Sequence, residues 1–181
     1  MTRRRIELTD NEGAFLALVQ RIQPATAYQL SRIYEDSPVS NFNTSKGKIY
    51  PMIRRLTAQG LVEKRPVEGD ARGAELLLCT QAGREAVRAW VRAIRASHLL
   101  LEDPLRTKVQ SLDLLDREER IAWIVEVKAA LHEKLRELED YGKGVTVPFH
   151  ELVHDNAVSA LRGRMDWLDR LLQRVVAGDP G

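Results

Sequence analysis

The sequence predicts a mainly α-helical protein with one small β-hairpin. Three observations predict this class: apolar residues recur at helical spacing in the first 60 residues, two short apolar strands flank a glycine turn at 61–79, and helical spacing returns over most of 81–177. With 181 residues, 44% of them apolar and 30% charged, the chain has a globular composition. We therefore expect two domains, 1–80 and 81–181.

Two capping boxes mark the starts of the first two helices. Thr9 and Glu12 have the spacing of a capping box, and Thr26 and Gln29 repeat it. Pro24 is expected to end the first helix. After each box the apolar residues fall on one helical face: Phe15, Leu18, Val19 and Ile22 in the first helix, and Tyr28, Leu30, Ile33 and Tyr34 in the second.

The third predicted helix is KGKIYPMIRRLTAQG, which begins after Ser45 as a possible N-cap. Gly60 is expected to cap its C-terminus. Pro51 removes one helical hydrogen bond and should bend the helix unless it lies near the first turn. The residues predicted to face inward are Ile49, Met52, Ile53 and Leu56.

A β-hairpin is predicted directly after this helix. Its strands are 61–67 and 74–79, and the turn 68–73 contains two glycines. Three helices followed by a two-stranded hairpin form the plan of a winged helix-turn-helix domain. In that plan the third helix fits the DNA major groove, and the hairpin reaches the flanking backbone.

Basic residues are concentrated in the predicted third helix and the strand that follows it. Residues 1–80 contain 12 Lys and Arg against 9 Asp and Glu, whereas 81–181 contain 16 against 17. Such a cluster suits a polyanionic partner, and a solvated basic face is the alternative interpretation. Its members are Lys46, Lys48, Arg54, Arg55, Lys64 and Arg65, with Glu63 as the only acidic residue among them.

Long helices are predicted for the second domain, at about 81–101, 116–141 and 149–177. Thr80 and Asp116 are the expected N-caps of the first two. In the last helix, apolar residues alternate at spacings of four and three, which is typical of packed helical pairs. This seam consists of His154, Val158, Leu161, Met165, Leu168, Leu172 and Val175.

The segment HELVH, 150–154, matches the zinc-protease pattern, in which two histidines bind a metal and the glutamate activates water. No glutamate or histidine follows it to supply a third ligand, and His154 lies at the head of the packing seam. The single cysteine, Cys79, lies in an apolar strand, where an inert thiol is expected. We therefore predict no catalytic residue, metal site or cofactor.

Three stretches of the first domain resemble the PadR family of bacterial transcriptional regulators. They are PATAYQL at 24–30, GKIYPMIRRLTAQGLVEKR at 47–65 and TQAG at 80–83. The Tyr50-Pro51 pair inside a recognition helix is the most specific feature, and the resemblance covers roughly residues 9–95. Lys48 stands where the family usually has Ser or Thr, and Leu76 and Leu77 stand where its wing usually carries basic and tyrosine residues. The remainder is similar in outline to the longer, virulence-activator-like subgroup, through MDWLDRLL at 165–172.

The resemblance implies a homodimeric regulator, most often a repressor, that binds an inverted repeat in double-stranded DNA. The residues expected to bind DNA are Ser45, Lys46, Lys48, Tyr50, Arg54, Arg55, Lys64 and Arg72. Those expected to form the dimer are Val91, Ile94, Leu161, Met165, Leu168 and Leu172. Two of these roles have alternatives: Tyr50 could be a packing residue, and Arg55 could pair with an acidic residue of the domain.

A small aromatic effector is a further expectation, with Trp90 as its candidate contact, although packing is the alternative role for this tryptophan. A winged helix that binds only proteins is the main competing function. No apolar run is long enough to span a membrane, and no secretory signal is recognisable, so we expect a cytoplasmic protein.

Overall fold

The computed structural model describes residues 6–35, 46–69, 73–99 and 102–178. The chain divides into two compact units, Met1–Leu99 and Leu100–Gly181. Within the described ranges, no helix is both long enough and apolar enough to cross a membrane.

The first unit is a winged helix-turn-helix fold, as predicted. Its helices are α1 (Asp10–Ile22), α2 (Ala27–Glu35), α3 (Lys46–Ala58) and α4 (Gln81–Arg92), and its strands are β1 (Ala25–Thr26), β2 (Val62–Pro66) and β3 (Glu75–Cys79). The three strands form an antiparallel sheet in the order β1-β3-β2. The hairpin prediction was therefore incomplete, because β1 is too short to carry a periodic signal and exists only through its pairing with β3.

Local capping signals set the helix boundaries as the sequence indicated. The hydroxyl of Thr9 accepts from the Glu12 N–H, and the Glu12 carboxylate accepts from the Thr9 N–H. Thr26 and Gln29 make the equivalent pair at the start of α2. Thr80 caps α4 through the N–H of Gly83. Each cap satisfies backbone donors that a helix start leaves without partners.

Helix α3 ends in a left-handed glycine, as predicted. Gly60 has φ +70°, and the N–H of Leu61 donates to the carbonyl of Leu56 at 2.9 Å. This geometry is a Schellman motif, which glycine adopts without steric cost. Pro51 lies in the second turn and α3 continues through it. Ser45, the expected N-cap, lies outside the described residues.

The core of the first unit lies between the helices and the inner face of the sheet. Helix α4 packs against α1, and at its start Gly83 lies against the hairpin. A Cβ atom at Gly83 would lie 2.3 Å from the carbonyl oxygen of Leu61, so only glycine permits this approach. The most buried side chains are Phe15, Leu16, Val19, Leu30, Ile49, Leu56, Leu61 and Leu77.

Helix α4 is shorter than the helix predicted at about 81–101. It ends at Arg92, and a short 3-10 helix, Ala96–Leu99, follows. The N–H of Arg95 donates to Nδ1 of His98 at 3.2 Å instead of making the helical bond to the carbonyl of Val91. Helix α4 packs on α1, and both α4 and this 3-10 helix lie in the first compact unit.

The second unit is built on two long antiparallel helices. It contains α5 (Pro104–Val109), a 3-10 turn (Leu112–Leu114), α6 (Arg117–Gly142) and α7 (His150–Ala177). Asp116 and Glu119 form a capping box at the start of α6. Helices α6 and α7 pack against each other, and their ends agree with the predicted 116–141 and 149–177 within about one residue.

Candidate nucleic-acid interface

The outer surface of α3 carries the residues expected to meet DNA. The inward stripe is buried as predicted, with Ile49, Met52, Ile53 and Leu56 each at most 6% exposed. At about 100° per residue, positions four apart lie on the same side of a helix, whereas positions two apart do not. Tyr50 and Arg54, four positions apart, therefore share one side of the exposed surface of α3. Lys48 and Arg55, seven positions or about two turns apart, share the other side.

Lys48 and Arg54 are both exposed on α3. Within the part of the chain that the structure describes, neither side chain forms an ion pair or a hydrogen bond. An approaching polyanion therefore meets both positive charges without first displacing a carboxylate of any described residue. Lys46 lies in the first turn of α3, but its side chain is outside the described set, as are Ser45 and Arg72.

Arg55 is engaged within the domain. Its Nε donates to Oε1 of Glu12 at 2.5 Å, and Glu12 is only 5% exposed. Burial alone would raise the pKa of Glu12, but hydrogen bonds from Thr9 and the charge and hydrogen bond of Arg55 lower it overall. Arg55 thus forms the intramolecular ion pair that was its alternative role. Its contact with DNA stays a prediction. The partner Glu12 was recognisable in the sequence only as a capping residue.

The wing carries two ion pairs on opposite faces. Lys64 Nζ lies 2.7 Å from Oε2 of Glu75, and Arg65 Nε lies 2.8 Å from Oε1 of Glu63. Lys64 is opposite Leu77 in the register and Pro66 is opposite Glu75, so the first pair lies on the face that also carries the buried Leu77. The sequence identified Lys64, but it did not identify Glu75 as its partner.

A cleft of about 300 Å³ separates α3 from the wing. Tyr28 at the start of α2 and Tyr50 on α3 line it, together with Lys64 and Glu75 of the sheet. The tyrosines are 63% and 57% exposed, so Tyr50 is an outward residue rather than a packing ring. The sequence singled out Tyr50 but not Tyr28, whose approach to the wing depends on the tertiary fold.

Trp90 combines packing with access to a cavity. Its indole lies over Gly13, and its Nε1 donates to Oδ1 of Asp10 at 3.0 Å. This hydrogen bond is the largest cause that holds the pKa of Asp10 below its ordinary value. The second is the hydrogen bond between Nε2 of His98 and the same carboxylate oxygen, at 3.1 Å. Trp90 also lines a cavity of about 420 Å³, together with Ile6, Glu7, Leu8, Ala86, Ala89, Arg92, Ala93 and Arg95.

The residues expected at the dimer interface fall into two groups. Val91 and Ile94 are 68% and 81% exposed within the single chain. Leu161, Met165 and Leu168 are at most 9% exposed because they pack inside the second unit, and Leu172 is half-buried. The heptad seam of α7 is therefore occupied within one chain by α6, which sequence periodicity could not distinguish from pairing between chains.

The HELVH segment has structural contacts. Nδ1 of His150 lies 2.9 Å from the carbonyl of Val147. The ring of His154 packs so closely on Gly142 that a Cβ atom there would lie 2.9 Å from its Cε1. Among the described residues, which include all of 150–154, no group of three His, Cys, Asp or Glu side chains is arranged to hold a metal. Burial raises the pKa of the Cys79 thiol, as for an inert cysteine.

A winged helix with an exposed basic recognition helix defines a class of DNA-binding regulators. Residues 15–89, which span most of α1 to α4, match the model of the transcriptional regulator PadR-like family. This part of the chain is therefore similar to a family of transcriptional regulators. The resemblance of the three sequence stretches is thereby confirmed. No curated protein sequence gives a significant match.

Several solved structures share the fold over nearly their whole length. Bacillus subtilis PadR in complex with operator DNA has a TM-score of 0.79 at 20% identity, covering 92% of this chain and 99% of that one. The same protein with p-coumaric acid has a TM-score of 0.74 at 17% identity, covering 91% and 94%. The PadR-like regulator BC1756 of Bacillus cereus has a TM-score of 0.72 at 19% identity, covering 94% and 100%.

Proposed function

We propose that this protein is a homodimeric, sequence-specific DNA-binding repressor that acts in the cytoplasm. The observation that carries the proposal is that Lys48 and Arg54 of α3 are exposed and make no ion pair or hydrogen bond within the described part of the chain, with the exposed Tyr50 on the same side of the helix as Arg54. Lys and Arg side chains contact guanine edges and phosphates, and tyrosine hydroxyls contact phosphates. In this arrangement α3 enters the major groove.

The charge distribution supports a nucleic-acid partner for the first unit. The basic excess of residues 1–80 is concentrated in α3 and β2, whereas 81–181 contain nearly equal numbers of basic and acidic residues. A winged helix that binds only proteins has no need for a cluster of exposed cations on this surface. A structural relative, Bacillus subtilis PadR, has been crystallised with its operator DNA, which supports the same use of the fold here.

Homodimerisation would place two copies of α3 on one inverted repeat. A two-fold dimer binds half-sites about one helical turn, roughly 34 Å, apart, and the two-fold symmetry accounts for an inverted repeat. The exposed Val91 and Ile94 are apolar side chains that a partner chain would cover. We assign the dimer contact to these two residues rather than to the seam of α7.

A small aromatic effector is the proposed regulator of DNA binding. The lining of the cavity beside Trp90 includes the indole, three alanines and the two cations Arg92 and Arg95. This lining suits a planar aromatic compound that carries an acidic group. Bacillus subtilis PadR has been crystallised with p-coumaric acid, a compound of that class.

The experiment that tests the function is selection of bound DNA from a random duplex pool, followed by titration of the selected duplex against salt. We expect an inverted repeat, bound at nanomolar concentration with a steep salt dependence. Lys48→Ala and Arg54→Ala should each raise Kd by about tenfold or more and reduce the salt slope by about 1.8, because the dimer loses one cation in each half-site.

Lys134→Ala is the matched control, because it removes the same charge from α6 in the second unit. Its affinity and salt slope should equal those of the original protein. Equal, sequence-independent binding by all four proteins would overturn the proposal and favour a winged helix that binds proteins.

A further inference from the structure

We propose that the cleft between α3 and the wing binds one DNA backbone phosphate, and that Glu75 weakens this binding by competing for Lys64. The proposal rests on the DNA-binding function proposed above. It adds to that function a binding site for one backbone phosphodiester. It also assigns to the Glu75 carboxylate the role of limiting the affinity for DNA. Four residues carry it: Tyr28, Tyr50, Lys64 and Glu75.

These residues come from four elements that the fold brings together. Tyr28 is the second residue of α2, Tyr50 lies on α3, Lys64 is on β2 and Glu75 begins β3. Thr26, in the short strand β1, is a further lining residue. The site therefore joins the recognition helix to the wing, the two parts of a winged helix that contact adjacent stretches of duplex.

Tyr28 and Tyr50 each have a hydroxyl group that can donate a hydrogen bond to a ligand. Among the described residues, neither hydroxyl has a hydrogen-bond partner, and both rings are more than half exposed. A tyrosine hydroxyl can donate one hydrogen bond, and the oxygens of a phosphodiester accept without donating. Hydroxyls of this kind are common contacts to DNA phosphates, which fix the register of the protein on the duplex.

Lys64 supplies the positive charge of the cleft, and Glu75 partly neutralises it. Their ion pair is 2.7 Å long, and the Glu75 side chain is 49% exposed at the edge of the sheet. A phosphate that enters the cleft must share the ammonium group with this carboxylate and approach a like charge. Glu75 therefore lowers affinity for DNA without touching a base.

The opposite face of the same hairpin provides an internal comparison. Glu63 pairs with Arg65 there, and neither residue lines the cleft. Neutralising Glu63 or Glu75 changes the net charge of the protein equally and breaks one acidic–basic pair in each case. A difference between the two variants thus reports the local competition for Lys64 rather than the overall charge.

The test compares Glu75→Gln with Glu63→Gln on the selected operator, with circular dichroism to establish that both fold. We expect Glu75→Gln to bind the operator roughly three- to fivefold more tightly than Glu63→Gln, with a salt slope steeper by up to about 1.8 for the two clefts of the dimer. Lys64→Gln, Tyr28→Phe and Tyr50→Phe should each weaken binding. Equal affinities and slopes for the two glutamate variants would overturn the proposal.

Operators with a single neutral methylphosphonate linkage identify the phosphate. At one linkage in each half-site, the substitution should weaken binding by the original protein and remove the advantage of Glu75→Gln. An advantage that persists at every linkage would mean that the cleft holds no backbone phosphate. If the original protein selects no operator at all, the DNA-binding function itself fails, and this result is distinct from equal binding by the two variants.

Discussion

Arg55 on the recognition helix donates a hydrogen bond of 2.5 Å to Glu12 in the first turn of α1. The same glutamate accepts the backbone N–H and the hydroxyl of Thr9 through its other oxygen. One nearly buried carboxylate thus caps α1 and anchors α3 against it. The orientation of the proposed DNA-reading surface depends on this contact, although Glu12 itself lies away from that surface.

Removing Arg55 should destabilise the first unit. In Arg55→Ala the Glu12 carboxylate stays buried without its cation, and we expect the free energy of unfolding to fall by about 1–2 kcal/mol. This loss is smaller than for a fully buried ion pair, because the Arg55 side chain is 53% exposed. Urea unfolding followed by circular dichroism measures it. Arg54→Ala removes the adjacent arginine, which has no ion pair among the described residues, and should change stability by less than about 0.5 kcal/mol. Equal losses would contradict a structural role for the ion pair.

Acid should weaken the folded state through Glu12. Its folded pKa is lowered below the ordinary value of 4.5, so its contribution to stability is present above that value and is lost as pH falls through the folded pKa. Unfolding free energy measured from pH 6 to pH 3 should decline less steeply in Glu12→Gln, which keeps a side chain suited to the capping box. Parallel pH profiles would show that the carboxylate does not contribute.

Gly13 should not tolerate a side chain. A Cβ atom there would lie 2.2 Å from Cδ2 of Trp90, so Gly13→Ala must displace the indole and its hydrogen bond to Asp10. We expect a loss of about 1–3 kcal/mol in thermal or urea unfolding. Gly163→Ala is the matched helical control, because its Cβ meets nothing within 4 Å, and it should stabilise α7 by about 0.5–1 kcal/mol. A neutral Gly13→Ala would contradict the close packing of Trp90.

Ile94 should be essential for the proposed dimer. Its side chain is 81% exposed within one chain, and a charge buried at an apolar interface is costly, so we expect Ile94→Glu to be monomeric in light scattering. Leu114→Glu places the same charge at a residue that is 80% exposed and lies outside the predicted dimer set. A dimeric Ile94→Glu beside a monomeric Leu114→Glu would locate the interface in the second unit instead.

The sequence by itself determined the local features of this protein. The capping pairs of Thr9 with Glu12 and of Thr26 with Gln29, and the turn at Gly60, each depend on residues within about five positions of one another. Their spacing therefore predicts the helix boundaries, and helical periodicity predicts which side of α3 is buried. The exposed Lys48, Tyr50 and Arg54 follow from the same periodicity.

Only the tertiary structure decided which distant residues meet. Arg55 and Glu12 are 43 positions apart, and Lys64 joins Glu75 only because the register of the hairpin places both on one face. Strand β1 exists through pairing with β3, and the seam of α7 is occupied by α6 of the same chain. Sequence periodicity identifies an apolar or charged surface, but its partner depends on contacts that form when separate elements pack together.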